Sequence, residues 1–463
     1  MRNSKIVSTL AALLLALGST SAMSADIIII NFDGPGVGFN DPTPVAPVGG
    51  NDGATLGEQR QNVFNRAAQL WGARLESDAL IFVGALFGPQ ECSPTGGVLA
   101  SAGPTAVFRD APEFPLAGTW YVGALADALS GADQDPGFID IITRFNGDIG
   151  VNPDCLTGLD WYNGYDNNNA PNEFDLLTVV MHELSHGLGF LELASEATGA
   201  AFLGFPDAYL VNMADTTTGK GWADMTDAER LASQVNSGNL VWTGPSVTAD
   251  APNILGPRPS IKILNPKGLK GSYEVQSASY GPSLRENGGT TGKMVVVNDG
   301  VGVGSDGCEP IQNKIKGKIA VIDRGACAFT TKTANAQLAG AKGVVVVNNQ
   351  PGGPAPVGGA DNPFFAISTV GVTMALGDAM KAAAAKNSVA KLILDGNFKA
   401  GTQDGFVRLY APNPVAPGSS KSHFDVSATP NLLMEPFISD DLASAVFVDL
   451  TTNVFEDIGW VLQ

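Results

Sequence analysis

Histidine is almost missing from this chain: 463 residues hold three, His182, His186 and His423. Positive charge is scarce as well, with 27 Lys and Arg against 46 Asp and Glu, a formal net charge of -19. That balance excludes a nucleic-acid partner, because a phosphate backbone is gripped by Lys and Arg. It suits instead a protein kept soluble by like charge. Beyond the first residues no apolar run has the length of a bilayer crossing, so no membrane anchor is expected. The four cysteines, Cys92, Cys155, Cys308 and Cys327, contain no Cys-x-x-Cys pair, which rules out the usual thiol redox and cysteine-zinc motifs. Gly300-Val-Gly-Val-Gly304 lacks the Lys-Ser/Thr ending of a phosphate-binding loop and reads as a turn.

What is present begins with an export signal over residues 1–25. Arg2 and Lys5 supply the positive start, Ile6 to Leu17 the apolar stretch, and Ser19 to Ala25 the small residues of a cleavage region. The mature chain is then expected outside the cytoplasm, secreted or periplasmic. In that oxidising setting an even number of cysteines implies disulfides. Cys92–Cys155 and Cys308–Cys327 are the favoured pairs, since each then falls within one domain.

Charge divides the chain. Residues 26–249 carry 7 basic and 28 acidic side chains, whereas residues 250–402 carry 16 basic and 10 acidic. From 403 to the end the count returns to 2 basic and 8 acidic. A basic middle segment between acidic flanks reads as an inserted domain. In the first flank, Thr55 to Ser77 has the three- and four-residue apolar spacing of an amphipathic helix. Ala79 to Gly84 and Ile139 to Phe145 are strand-like. In the middle segment Lys318 to Ile322 and Gly343 to Val347 suit buried strands, and Thr330 to Ala341 and Met374 to Lys386 suit helices. This alternation predicts a mixed α/β architecture.

Two of the three histidines stand in His182-Glu183-Leu184-Ser185-His186, on a helix that Asp175 can cap. A separation of four residues puts both imidazoles on one helical face, where they can share a metal ion. A catalytic zinc takes three protein ligands and leaves one position for water, so a third ligand is needed. Glu183 is the natural general base. After His186 the string runs Gly-Leu-Gly189-Phe-Leu-Glu192, and a glycine turn at Gly189 could return Glu192 to the metal. The other candidate is the last histidine, His423, followed eleven residues later by Met434.

His182-Glu-Leu-Ser-His186-Gly-Leu-Gly189-Phe190, Ser422-His423-Phe424-Asp425 and Leu433-Met434-Glu435-Pro436 together resemble a leishmanolysin-like metzincin zinc metallopeptidase. In that family a long insertion separates the glycine turn from the third zinc histidine. The resemblance implies an α+β fold: a metzincin-type catalytic domain with a twisted mixed sheet, an active-site helix and a Met-turn. It implies Zn2+ on His182, His186 and His423, Glu183 as the catalytic base and Met434 in the Met-turn. Phe424 and Asp425 stand where the family often has Trp and Glu. A propeptide cysteine that blocks the zinc is not expected, because no cysteine precedes Cys92. By analogy, Ile139 to Asn146 would be the edge strand on which an extended substrate lies.

The middle segment has its own resemblance. Lys316 to Phe329, Lys332, Asn335 to Gln337, Ala339 to Gly343 and Asn348-Asn349 are similar to a protease-associated (PA) domain, a module thought to contact substrates or proteins. The expected organisation is therefore a catalytic N-terminal part (26–249), an inserted α/β PA domain (250–402) and a catalytic C-terminal part (403–463). The expected partners are protein or peptide substrates. The Asn/Asp-rich loop from Asp166 to Asp175 offers oxygens to Ca2+, but it lacks EF-hand spacing, and turn chemistry is the favoured reading. The leading expectation is a secreted zinc endopeptidase. The alternative is a non-catalytic secreted binding protein that works through its PA domain and keeps a structural metal.

Overall fold

The computed structural model describes residues 24–361, 363–438, 442 and 449–463. The expected export signal lies outside the described residues as far as residue 23. Among the described residues no helix is long and apolar enough to cross a membrane.

The first layer is a four-stranded sheet made of β1 (Ile27–Asn31), β2 (Ile81–Gly88), β3 (Ala100–Pro104) and β4 (Ile141–Asn146), in the order β1-β2-β4-β3. β1, β2 and β4 run parallel, and β3 lies antiparallel to β4 with Ala102 opposite Thr143. The expectation that the segment ending at Asn146 forms the sheet edge is therefore corrected. β4 has a strand on each side, and the terminal strand is β3. The sequence hid this because Ala-Ser-Ala-Gly-Pro carries neither the β-branched residues nor the alternation that marks a strand.

Helix α1 (Leu56–Gly72) starts at a reciprocal capping box between Thr55 and Glu58 and buries Val63, Phe64, Ala67 and Trp71. It stops before the expected Ser77 because Leu75 and Glu76 are drawn into bridges with Leu462 and Ser24. The Trp71 indole N–H donates to the Met181 carbonyl at 3.0 Å and locks α1 onto the second long helix. That helix, α2 (Leu176–Gly187), begins where Asp175 accepts the Thr178 N–H at 2.7 Å. Its end lies so close to β4 that a Cβ on Gly187 would sit 2.3 Å from Ile141.

A second sheet joins the two ends of the chain. β5 (Met213–Asp215) pairs with β6 (Leu240–Trp242), which pairs antiparallel with β13 (Phe406–Arg408), Val241 facing Arg408. Residues on either side of the basic segment are thus hydrogen-bonded neighbours, as an insertion requires. The helix Pro245–Ile254 belongs to this flanking part. The carboxylate of Asp457, in the C-terminal helix α5 (Thr451–Ile458), accepts the N–H of Ser246 at 2.7 Å and that of Val247 at 3.2 Å. The helix Pro245–Ile254 spans residue 250, where the charge contrast changes.

The inserted segment folds around an eight-stranded sheet. Its centre is a parallel run of β8 (Thr290–Val296), β9 (Ile319–Asp323), β10 (Gly343–Val347) and β11 (Ser368–Val372). β7 (Pro257–Asn265) and β12 (Val389–Lys399) extend it antiparallel to one another. Alternate residues feed two cores: Val321 and Val345 on one face, Ala320, Ile322, Val344 and Val346 on the other. Helices α3 (Phe329–Leu338) and α4 (Met374–Ala384) cover these faces. The disulfides are Cys92–Cys155 and Cys308–Cys327.

Candidate metal centre

α2 carries His182 and His186 on its last turns, and the chain reverses immediately beyond it. Gly189 makes the reversal with φ +119°, where a Cβ would lie 2.8 Å from Ile458. A side chain is thus barred both by backbone conformation and by space. The turn brings the Phe190 carbonyl to His186 Nδ1 at 2.7 Å.

His423 arrives from the far side of the insertion. Its segment runs beside the residues that follow β13: the Tyr410 N–H donates to the His423 carbonyl at 2.9 Å, and the Asp425 N–H to the Arg408 carbonyl at 3.0 Å. His423 Nδ1 contacts the Ser419 carbonyl at 2.8 Å. His182 Nδ1 contacts the Leu433 carbonyl at 2.7 Å. The Met434 carbonyl accepts the Phe424 N–H at 2.8 Å, and the Met434 side chain is fully buried. Through their carbonyls Leu433 and Met434 therefore contact both the helix that bears two histidines and Phe424, the residue after the third.

The three rings have centroids 4.8–5.1 Å apart. Each Nδ1 faces a carbonyl oxygen, which fixes that nitrogen as the N–H donor and leaves Nε2 with its lone pair. One ring nitrogen from each residue lies within 4.8 Å of the other two, and His182 Nε2 stands 3.2 Å from His423 Nε2. Two acceptors that close repel unless a cation lies between them. A tetrahedral zinc with Zn–N bonds of about 2.0–2.1 Å would hold its nitrogens about 3.3 Å apart, so the donor set fits zinc. Burial pushes the imidazoles away from their charged forms: His182 to about 4, His186 to about 3, and His423 well below its ordinary value. All three stay neutral at pH 7, as metal binding requires.

Glu183 is buried between the two helix histidines, and burial raises its carboxyl to about 8, with the Ala102 amide favouring the charged form. Its Oε2 has no hydrogen-bond partner. A buried carboxylate oxygen without a partner is costly, and a nearby cation or a polar ligand would relieve that cost. Ala102 belongs to the terminal strand β3, so Glu183 and the sheet edge meet at one place.

Glu192 is not with the histidines. Its carboxylate pairs with Lys421 and accepts the Ala194 N–H at 2.6 Å. In the Asp166–Asp175 loop each carboxylate already accepts from a protein group. Asp166 accepts the Tyr162 hydroxyl at 2.5 Å, Glu173 accepts the Ala170 N–H at 2.8 Å, and Asp175 caps α2. A second acidic group, Asp299, Asp306 and Glu309, brings its oxygens within 4.8 Å of one another. It already has a cation beside it, because the buried Lys332 ammonium donates to the Asp306 carbonyl at 2.6 Å. Sequence reasoning missed Ala102, Lys421 and Asp449, whose carboxylate accepts the Leu433 N–H. Ala102 and Lys421 act on residues far away in the chain and Asp449 on one 16 positions back, and none carries a local signal.

Residues 290–380 match the family model of the PA domain. The inserted segment thus holds a PA domain within a mixed α/β chain. The chain is 34% identical over 111 residues to a probable leucine aminopeptidase 2 of Aspergillus fumigatus, covering 24% of this chain and 21% of that one. It is 29% identical over 127 residues to a PRADC1-like protein of Drosophila melanogaster, covering 27% and 62%. Among solved structures, an aminopeptidase from Aneurinibacillus sp. strain AM-1 is 27% identical with a TM-score of 0.24 over 31% of each chain. A zinc aminopeptidase from Bacillus subtilis is 23% identical with a TM-score of 0.23, covering 32% of this chain and 35% of its own. The chain spans less than two thirds of the length of each of these relatives.

Proposed function

We propose that the chain is an exported zinc-dependent endopeptidase of the metzincin kind, with His182, His186 and His423 as ligands and Glu183 as general base. The observation that carries this reading is the convergence of all three histidines of the chain, two of which flank the buried Glu183 in sequence. Zinc, when bound, polarises the scissile carbonyl and makes a water acidic enough to attack it. Glu183 takes the proton of the attacking water on its carboxylate and hands it to the departing amine. A cation beside Glu183 favours its charged form, against the burial that otherwise keeps it protonated at neutral pH. The Nδ1 contacts to Leu433, Phe190 and Ser419 orient the ligands, and the buried Met434 accepts the N–H of Phe424, the residue next to His423. An extended substrate would lie along β3, the terminal strand, where it could add to the sheet antiparallel to its neighbour. The PA domain would contribute protein or peptide contacts away from the chemistry. Export is supported by the two disulfides.

Hydrolysis of a quenched peptide library provides the test. Cleavage that stops with a zinc chelator, returns with zinc and proceeds on N-acetylated peptides is the expected result. Activity confined to peptides with a free N-terminus would turn the reading to an aminopeptidase, the activity named for several of the similar proteins. Chelator-insensitive cleavage would remove the metal from the reaction.

A further inference from the structure

We propose that Glu192 and Lys421 together position the third histidine: the carboxylate at the place where a compact site carries its last ligand holds the His423 segment instead of meeting the metal. This rests on the metal-site reading above. The two charges form an ion pair with side chains only 1% and 3% exposed. Lys421 Nζ also donates to the Ala194 carbonyl at 3.0 Å, and the Glu192 N–H donates to Ser422 Oγ at 3.2 Å across 230 residues of chain. The stretch just beyond the glycine turn is thereby sewn to the two residues preceding His423.

Lys421 sits at φ +74°, a left-handed conformation that a lysine adopts only when its surroundings enforce it. They do so from several directions. Its N–H donates to the Tyr410 carbonyl at 2.8 Å, its carbonyl accepts the Tyr209 hydroxyl at 3.3 Å, and its ammonium is held by Glu192. The reversal at Lys421 lets His423 Nδ1 meet the carbonyl of Ser419, four residues back.

A buried ion pair is seldom a net source of stability, but losing one partner strands the other charge, whereas replacing both together can be harmless. That asymmetry separates positioning from ligation. If Glu192 holds the segment, then Glu192→Gln and Lys421→Met each damage the third ligand, and the double variant restores it. A metal-ligand role for Glu192 predicts no such rescue.

The experiment compares these three variants with the wild-type chain in two readouts. The first is zinc affinity by competition with a chelator. The second is the imidazole 1H–15N spectrum of the metal-free protein, in which three histidines give only three sets of signals. Each single variant should lower zinc affinity about 10–100-fold, as losing the support of a ligand does. Each should shift the His423 signals while those of His182 and His186 stay. The double variant should return both readouts to near wild type. Loss of zinc in Glu192→Gln with zinc and His423 signals intact in Lys421→Met would overturn the proposal and make Glu192 a ligand. Wild-type behaviour in all three variants would overturn it too. If Lys421→Met does not fold, Glu192→Gln and the double variant decide alone. A wild-type chain that takes up no zinc would sink the metal-site reading, while the metal-free spectra would still decide the positioning.

Discussion

At the scale of single residues, the site depends on which nitrogen of each histidine carries the proton. Three backbone carbonyls take the three Nδ1 positions, and burial keeps the rings neutral. An unfolded histidine takes up its proton near pH 6.5, whereas folded His182 and His186 resist until about 4 and about 3. As the pH falls through that window the unfolded chain binds more protons, so these residues make the metal-free fold less stable. Thermal melts of the metal-free protein should show this slope between pH 6.5 and 3, and His186→Gln, which cannot take the proton, should remove its share. Equal slopes in the two proteins would contradict the burial argument. Glu183 behaves differently. Glu183→Gln keeps the ligand set, so it should retain zinc while losing about 100-fold or more in kcat, the usual worth of a general base. An active Glu183→Gln enzyme would take the base from Glu183.

At the scale of elements, the glycine turn is the least replaceable piece. Gly189 combines a positive φ with a 2.8 Å approach to Ile458, and it stands between His186 and the Phe190 carbonyl that orients it. Gly189→Ala should cost about 1–3 kcal/mol of stability and also weaken zinc binding. Denaturant unfolding together with a zinc titration would check both. The turn was legible in the sequence, as were the capped helix and its two histidines, because each is signalled within a few residues. His423 was legible through scarcity, with only three histidines in the chain, and through the family resemblance of Ser422-His423-Phe424-Asp425 and the methionine after it. β3 and its Ala102 were not legible, because a small-residue strand ending in proline owes its place to pairing with β4. The role of Glu192 was hidden for a similar reason, since its partner Lys421 lies beyond the whole inserted domain.

At the scale of the molecule, one hydrogen-bonded pairing, β6 with β13, joins the two flanking parts on either side of the insertion. The charge contrast puts the basic segment at 250–402, and the PA-domain match over residues 290–380 lies inside it. The helix Pro245–Ile254, which spans position 250, is held at its start by Asp457, near the other end of the chain. The two disulfides constrain chain segments of very different length, 63 residues for Cys92–Cys155 and 19 for Cys308–Cys327. In the chain-entropy account the longer loop is worth about 1 kcal/mol more. Replacing Cys92 and Cys155 by Ser should therefore lower stability further than replacing Cys308 and Cys327, as urea unfolding of the two double variants would show. The measurement that bears most directly on the whole account is the zinc content of the purified protein and of His423→Ala. Close to one zinc per wild-type chain and nearly none in the variant is the result predicted here. A variant that keeps its full zinc would contradict the three-histidine centre and the peptidase built on it.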